Sequence, residues 1–344
     1  MVTMKEIAKK ADVSIATVSY VLNDNGQISE KTRQKVLEVV EKLNYKRNNI
    51  AKSLRTSKTN TIGVIAEDIT VFNAPDIIDG INESLEKENF HVVLNNLRVH
   101  NKIINKFEQF KNHFEEIKES IAVLLSRQID GIIYVGEHYR DVSGILDSIN
   151  KPVVYTYCYS SKKDSYSVNY DDKSAAYNAT DLLIKLGHKK IGIISGLLNT
   201  RPSKARLEGC KQALEDNGLS LDPDLIKKGN WFYESGKKYG IELINKNDPP
   251  SAIFAFNDPM AAGVIAGIES LGLSVPEDLS VIGFDNRDFT RYVNPSLTTL
   301  NLPLKKIGLK AGDLVMKLLK NKEVEKKSYF LKCDLITRGS TQKL

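Results

Sequence analysis

Polar clusters in this 344-residue chain follow short apolar runs. AIFAFNDP puts Asn257 and Asp258 behind one run, and LSVIGFDNRD puts Asp285 and Asn286 behind another. NTRPSKARLEG, behind KIGIIS, offers Ser203 and Arg206 at the start of a helical pattern. Carboxylates, amides and a guanidinium are the planar, multidentate groups that hold a hydroxyl-rich ligand such as a sugar. Trp231, the one tryptophan, in KGNWFYESG, adds an aromatic face. Each residue also has a plainer use: Asp258 and Ser203 as helix caps, Arg206 as a surface partner, Trp231 as core. Repeated at equivalent strand ends, they point instead to a ligand cleft between two lobes.

Bond-breaking chemistry is not legible. There is no GxSxG, HExxH, Walker GxxxxGK(S/T), or GxGxxG after a strand. His91, His100, His113, His138 and His188 are dispersed, and no nucleophile–base–acid set can be assembled, so no catalytic residue is expected. His188, in LGHKKIGIIS, reads as a structural residue capping a helix C-terminus through its dipole. Cys158, Cys210 and Cys333 show neither CxxC nor metal-ligand spacing, so neither metal nor cofactor is expected. Scattered thiols fit a reducing, cytoplasmic compartment. MVTMKEIAKK is charged too early for a signal peptide, and nothing reads as a membrane span.

The elements that would position these residues alternate. TIGVIA (61–66), HVVLN (91–95), GIIYV (131–135), PVVYT (152–156), KIGIIS (190–195), AIFAF (252–256) and LSVIGF (279–284) read as strands. Helical patterns fall between them, among them 174–186, 203–216, 235–245 and 258–271. This predicts an α/β body of parallel sheets with helices on both faces, long enough for two lobes. SLTTLN, a helix at 303–320 and YFLKCDLI are expected to cross between lobes. The expected lobes are 61–156 with about 289–320, and 157–288 with about 321–344.

The first sixty residues differ in kind. They carry twelve Lys and Arg against six Asp and Glu, while the other 284 residues hold 37 of each sign, so the whole net charge of +6 sits here. Lys46, Arg47, Lys52, Arg55 and Lys58 have no acid between them, which reads as a polyanion-binding arm. Met4, Ile7, Ala8 and Ala11 share one helical face. Asp12 tolerates a left-handed turn, and Ser14 can cap a second helix, Ile15 to Leu22, that turns Val18, Val21 and Leu22 inward. A third helix starts at Ser29, with Val36, Val39, Val40 and Leu43 on one face. Two short helices joined by a tight turn in a basic setting describe a helix-turn-helix. Ile15 and Ala16 then point at the major groove, with Tyr20 one turn on, and Ser14, Thr17 and Ser19 are phosphate-bonding candidates. A helical bundle used for dimerisation has the same pattern.

VTMKEIAKKADVSIATVSYVLN, then ISEKTRQKVLEVVEKLNY and NNIAKSLR, resembles the LacI/GalR family of bacterial transcription regulators. LLSRQIDGIIYV, NYDDKSAAYNATDLLIKLGHKKIGIISG, AIFAFNDPMAAGVI and VPEDLSVIGFDN extend the resemblance across a periplasmic-binding-protein-like sensor. It implies a helix-turn-helix domain over 1–46 and a hinge helix or linker over 47–60. Ile15, Ala16 and Tyr20 would read bases. Asn48 would cap the hinge helix, Ala51 would let two such helices approach, and Leu54 would wedge into the minor groove. Arg47 stands where relatives usually have Pro and adds a phosphate contact. The effector pocket would include Arg206, Asn257, Asp258 and Asp285, with Trp231 stacking. Phe72 and Asn73 stand in the variant loop DITVFNAPD. Tyr157 and Cys158 stand where relatives often carry an aspartate. The implied function is a homodimeric repressor of carbohydrate-utilisation genes, binding a pseudo-palindromic operator under control of a sugar-like effector. A phosphoprotein co-effector or a transport-type sugar binder is the alternative. NNLRVHNKIINKFEQFKNHFEEIKE (95–119) reads as an additional amphipathic helix with Ile103, Ile104, Phe107, Phe110 and Phe114 on one side.

Overall fold

The computed structural model describes residues 2–22, 25–45, 59–99 and 114–344. The chain divides into two compact units, Met1–Thr59 and Asn60–Leu344. Arg47, Asn48, Ala51, Leu54 and Arg55, and the apolar row Ile103, Ile104, Phe107 and Phe110, lie outside the described residues.

The first unit contains α1 (Met4–Ala11), α2 (Ile15–Leu22) and α3 (Glu30–Lys42). Local chemistry sets its helix ends. Thr3 and Glu6 form a capping box: the Glu6 N–H donates to the Thr3 hydroxyl at 3.3 Å and the Thr3 N–H to the Glu6 carboxylate at 2.7 Å. α1 stops at Asp12, whose φ of 50° is the left-handed conformation expected of it. Ser14 then accepts the Thr17 N–H at 3.0 Å, and Ser29 accepts the Thr32 N–H at 3.3 Å at the start of α3. The enclosed core is Ile7, Ala8, Ala11, Val18, Val21 and Val36, with Met4, Leu22, Val39, Val40 and Leu43 packed at its margin.

The second unit holds two parallel sheets. The six-stranded sheet contains β1 (Thr61–Ala66), β2 (His91–Asn96), β3 (Gly131–Val135), β4 (Val153–Thr156), β5 (Tyr166–Tyr170) and β11 (Ser328–Leu331), in the order β11-β5-β4-β3-β1-β2. The four-stranded sheet contains β6 (Ile191–Ser195), β7 (Ile226–Lys228), β8 (Ala252–Ala255) and β9 (Ser280–Ile282), in the order β7-β6-β8-β9. Buried parallel strands need apolar side chains on both faces, which is why β3 and β6 are buried at every residue. The helices α4 (Ala74–Glu86) and α10 (Leu304–Leu319) cross so closely that a Cβ on Gly308 would strike the Ile77 carbonyl.

The lobe boundary differs from the expected 156/157. YSVNY pairs with β4 as β5, so the first lobe runs on to Tyr170 and takes back β11. Residues 298–301 belong instead with the second lobe, where Thr298 bridges Ile282 and Asn301 bridges Asp285. β10 (Thr299–Asn301) pairs antiparallel with β12 (Asp334–Ile336). The chain therefore passes between lobes after Tyr170, after Asn301 and after Leu331. The expected 95–119 helix is seen only from Phe114, where α5 (Phe114–Leu125) begins.

Candidate DNA-reading helix and effector cleft

In the first unit, α2 separates two surfaces. Val18 and Val21 are buried, whereas Ile15 is 48% and Tyr20 51% exposed and Ala16 is exposed beside them. Isolated large apolar side chains are common on protein surfaces. Here they share one side of a capped helix, opposite its core. Ser14 is committed as the cap and also hydrogen-bonds Thr17 Oγ1 at 2.9 Å. Ser19 is half-buried.

In the second unit, the C-terminal ends of both sheets face one cleft. Its hub is Arg206, on α7 (Arg201–Asp216) and 3% exposed. Arg206 Nε donates to Asp172 Oδ1 at 2.7 Å, Nη2 to the Tyr170 hydroxyl at 3.1 Å, and Nη1 to the Phe256 carbonyl. Its guanidinium carbon lies 3.5 Å from the Phe284 ring centroid and 5.7 Å from that of Trp231. Burial opposes its charge, but Asp172, Tyr170 and Asp285 outweigh that and hold its pKa above the ordinary value. Burial pushes the Asp172 carboxyl up, against the pull of Arg206. Arg206 is thus a buried bracket, not the surface partner of its plainer reading. Asp172 opens α6 (Asp172–Lys185) directly after the first crossing between lobes.

Around this hub stand the other expected residues. Asn257 caps α9 (Asp258–Glu269) by accepting the Met260 N–H at 3.0 Å, and donates its amide to the Trp231 carbonyl at 2.8 Å. Asp258 is therefore not the cap. It is fully buried, accepting the Thr299 hydroxyl at 2.6 Å and the Arg287 N–H at 2.7 Å. Ser203 is not a cap either: Thr200 precedes α7, and its hydroxyl donates to the buried Ser203 hydroxyl at 3.1 Å. Asp285 lies 3.5 Å from Arg287 Nε. Burial pushes its carboxyl up to about 6, with Arg287 and Arg206 pulling the other way. Burial and the charge on Asp285 raise Asp258 further. The Tyr157 ring packs against Tyr170, centroids 5.2 Å apart and tilted by 40°, and burial raises its hydroxyl above the usual range.

Four residues of the site have left-handed backbone. Tyr157, Trp231, Asp285 and Asn286 have φ values of 58°, 75°, 118° and 55°. Such conformations cost side-chain-bearing residues about 1–3 kcal/mol each and gather at ligand sites. Trp231 also lies flat on Gly196, where any Cβ would collide with its ring.

Two arginines of the second lobe reach aromatic rings of the first. Arg287 stands 4.2 Å over Phe72. Arg201 stands 4.7 Å over Tyr159 and 5.8 Å over Tyr139. Sequence reading singled out Phe72 but missed Arg287, Arg201, Tyr139 and Tyr159, together with Asp172, Tyr170 and the buried Glu67. Glu67 accepts from the Tyr134 hydroxyl at 2.9 Å and the Glu137 N–H at 2.7 Å, and pairs with Arg140 at 2.9 Å. A charged residue directly behind an apolar strand was the available signal for Glu67 and Asp68. His188 is structural, but not through the helix dipole: its ring bridges Ser251 Oγ at 2.9 Å and the Gln342 carbonyl at 3.2 Å. Among the described residues no helix is long and apolar enough to cross a membrane.

A capped helix-turn-helix unit and a strained, charged cleft between two parallel-sheet lobes define a class: a DNA-binding regulator with a binding-protein-like sensor. Comparison with known proteins makes this specific. Residues 3–48 match the family described as bacterial regulatory proteins, lacI family, and residues 180–341 match a periplasmic binding protein-like domain. The chain is 30% identical to the HTH-type transcriptional repressor PurR of Vibrio vulnificus (strain CMCP6), across 100% of both chains. It is 34% identical to catabolite control protein A of Priestia megaterium, across 94% of each. A Lac repressor dimer, solved bound to operator and the anti-inducer ONPF, matches with a TM-score of 0.81 at 26% identity over 99% of each chain. The chain belongs to the LacI family of bacterial regulatory proteins; it is a transcription regulator and not an enzyme.

Proposed function

We propose that this protein is a cytoplasmic, homodimeric repressor of carbohydrate-utilisation genes. In this reading it binds a pseudo-palindromic operator and answers to a sugar-like effector in the cleft. The observation that carries the DNA half is the division of α2 into a buried Val18/Val21 face and an exposed Ile15/Ala16/Tyr20 face. Ile15 and Ala16 offer apolar contact to thymine methyls, and Tyr20 offers a ring and a hydroxyl to a base edge or phosphate. Ser14, Thr17, Ser19, Arg47 and Arg55 supply phosphate contacts. Asn48, Ala51 and Leu54, which lie outside the described residues, would by the family resemblance supply the segment that wedges the minor groove. A two-fold dimer reads two half-sites, which explains why the operator would be nearly palindromic.

Trp231, Phe72, Tyr157, Asn257 and Asp285 line the effector site. Arg206 stands against the Trp231 ring and bonds Asp172 and Tyr170, while Asp258, bonded to the Arg287 N–H and Thr299, and Ser203, bonded to Thr200, complete the site. Effector control requires different affinities for two lobe arrangements. The three passages of chain between the lobes are where such arrangements would differ.

Tyr20→Ala tests the DNA half by titration against an operator and against random DNA. Specific affinity should fall by about 1–3 kcal/mol, the scale of one base contact, with non-specific affinity nearly unchanged. An equal loss on both DNAs would remove Tyr20 from base reading.

A further inference from the structure

We infer that the first lobe carries a second ligand site, remote from the effector cleft, that takes a small molecule with an apolar body and one anionic group. The site is a cavity of about 460 Å³ at the opposite end of the six-stranded sheet, within the size range of pockets that hold small ligands. It opens where β4 and β5 begin: Val153 and Tyr166, the first residue of each strand, both line it. The cleft lies beyond the other ends of these strands. Along the four residues of β4 that is about 10 Å further on, at about 3.3 Å per residue. The inference therefore stands apart from the effector reading.

Two kinds of side chain share the cavity wall. Leu146, Ile149, Val153 and Leu318, with Tyr155 and Tyr166, supply apolar surface. Leu146 and Tyr155 belong to the core of the lobe, so this surface is fixed in place. The charged residues of the wall are Lys151, Lys162, Lys163 and Asp164. Asp164 is taken by Lys327, which does not line the cavity. Lys162 donates to the Asp147 carbonyl, which leaves two of its three ammonium donors. Neither Lys151 nor Lys163 makes a side-chain hydrogen bond or ion pair among the described residues.

The acids nearby do not cancel these charges at the wall. Asp141 accepts from Ser143 and Ser161, and neither Asp141 nor Asp147 lines the cavity. Burial raises the Tyr155 hydroxyl above its ordinary value, with Asp147 and Asp141 adding to the effect, so Tyr155 stays neutral. An apolar body gains by leaving water against Leu146, Ile149 and Leu318. An anionic group on that body meets the lysines. A sugar would leave the apolar wall unfilled, and a cation would be repelled.

The probes are 8-anilinonaphthalene-1-sulfonate and N-phenyl-1-naphthylamine, one ring system with and without an anion. Each is titrated into the full-length protein and followed by its own fluorescence. The anionic probe should bind saturably and weaken as salt rises. Lys151→Gln together with Lys163→Gln should weaken it by about 4- to 25-fold, at about two- to fivefold for each exposed charge pair. The neutral probe should change by less than about twofold in the same protein. Ser165→Phe, which fills the cavity and leaves every lysine, should remove the anionic probe. No saturable binding of that probe, an affinity unmoved by the two lysine substitutions or by Ser165→Phe, or an equal loss of both probes on lysine replacement overturns the inference. The DNA-reading and effector conclusions are untouched by any of these results.

Discussion

Replacing Arg206 by Met removes the hub of the sensor, and the structure sets how much that costs. The Arg206–Asp172 pair is 2.7 Å long with both side chains 4% exposed, so Asp172 would be left as an uncompensated buried carboxylate. Breaking such a pair from one side costs about 3–5 kcal/mol. A second route gives the same scale. Without its partner, Asp172 would take up a proton, and protonating a carboxylate of ordinary pKa about 3.9 at pH 7 costs about 4 kcal/mol, falling to about 1.5 kcal/mol at pH 5. The loss should therefore shrink markedly on acidification. Asp172→Asn in the same chain should recover most of it, because no buried charge then remains. Urea unfolding followed through Trp231, which lies 5.7 Å from the Arg206 guanidinium, reads the sensor unit alone. A loss below about 1 kcal/mol at pH 7, or one equal at both pH values and not rescued by Asp172→Asn, would refute the reasoning, since a breach of this size follows directly from an uncompensated buried charge. Arg206→Ala is for the same reason a poor probe of effector binding, because a loss of stability of this size would be confounded with a loss of affinity.

Asp285→Asn should flatten part of the pH dependence of stability. Its folded carboxyl titrates at about 6, above the unfolded value, so the native state holds more protons between about pH 4 and 6 and loses stability as pH rises through that window. The difference between wild type and Asp285→Asn should grow by up to about 3 kcal/mol from pH 4 to 7, measured by urea titration, and a constant difference would contradict this. Arg201→Gln should loosen the contact between lobes at Tyr139 and Tyr159. A cation–π contact at an exposed site is worth about 0.5–1 kcal/mol, so amide exchange over 136–140 and 197–203 should quicken by about two- to fivefold. Unchanged exchange would mean that the contact does not hold the lobes.

Legibility in the sequence followed how local each feature was. The strands 61–66 and 131–135 were read with their observed limits, because β-branched runs bounded by turns need no tertiary information. The three-helix unit was equally legible from its caps and spacing. β5 was missed because YSVNY carries polar side chains that read as loop. Its Ser167 and Asn169 are buried nonetheless, the first bonded to Ser328 across 161 residues and the second to the Cys158 carbonyl. The lobe boundary went wrong with it. In the cleft, single residues behind strands were found, but their partners were not. An acid at a helix start, such as Asp172, looks like a cap until Arg206, 34 residues on, is placed against it. Arg287 over Phe72 and Arg201 over Tyr159 join different lobes, and no local pattern encodes such a meeting.

The central claim is that this chain reads DNA sequence as a two-fold dimer through α2. Selection of bound duplexes from a fully randomised pool by the full-length protein tests it most directly. The predicted result is a strongly enriched, nearly palindromic site that Tyr20→Ala no longer enriches at the same positions. Recovery of a pool no different from the input, or of a motif lacking two-fold symmetry, would contradict the claim.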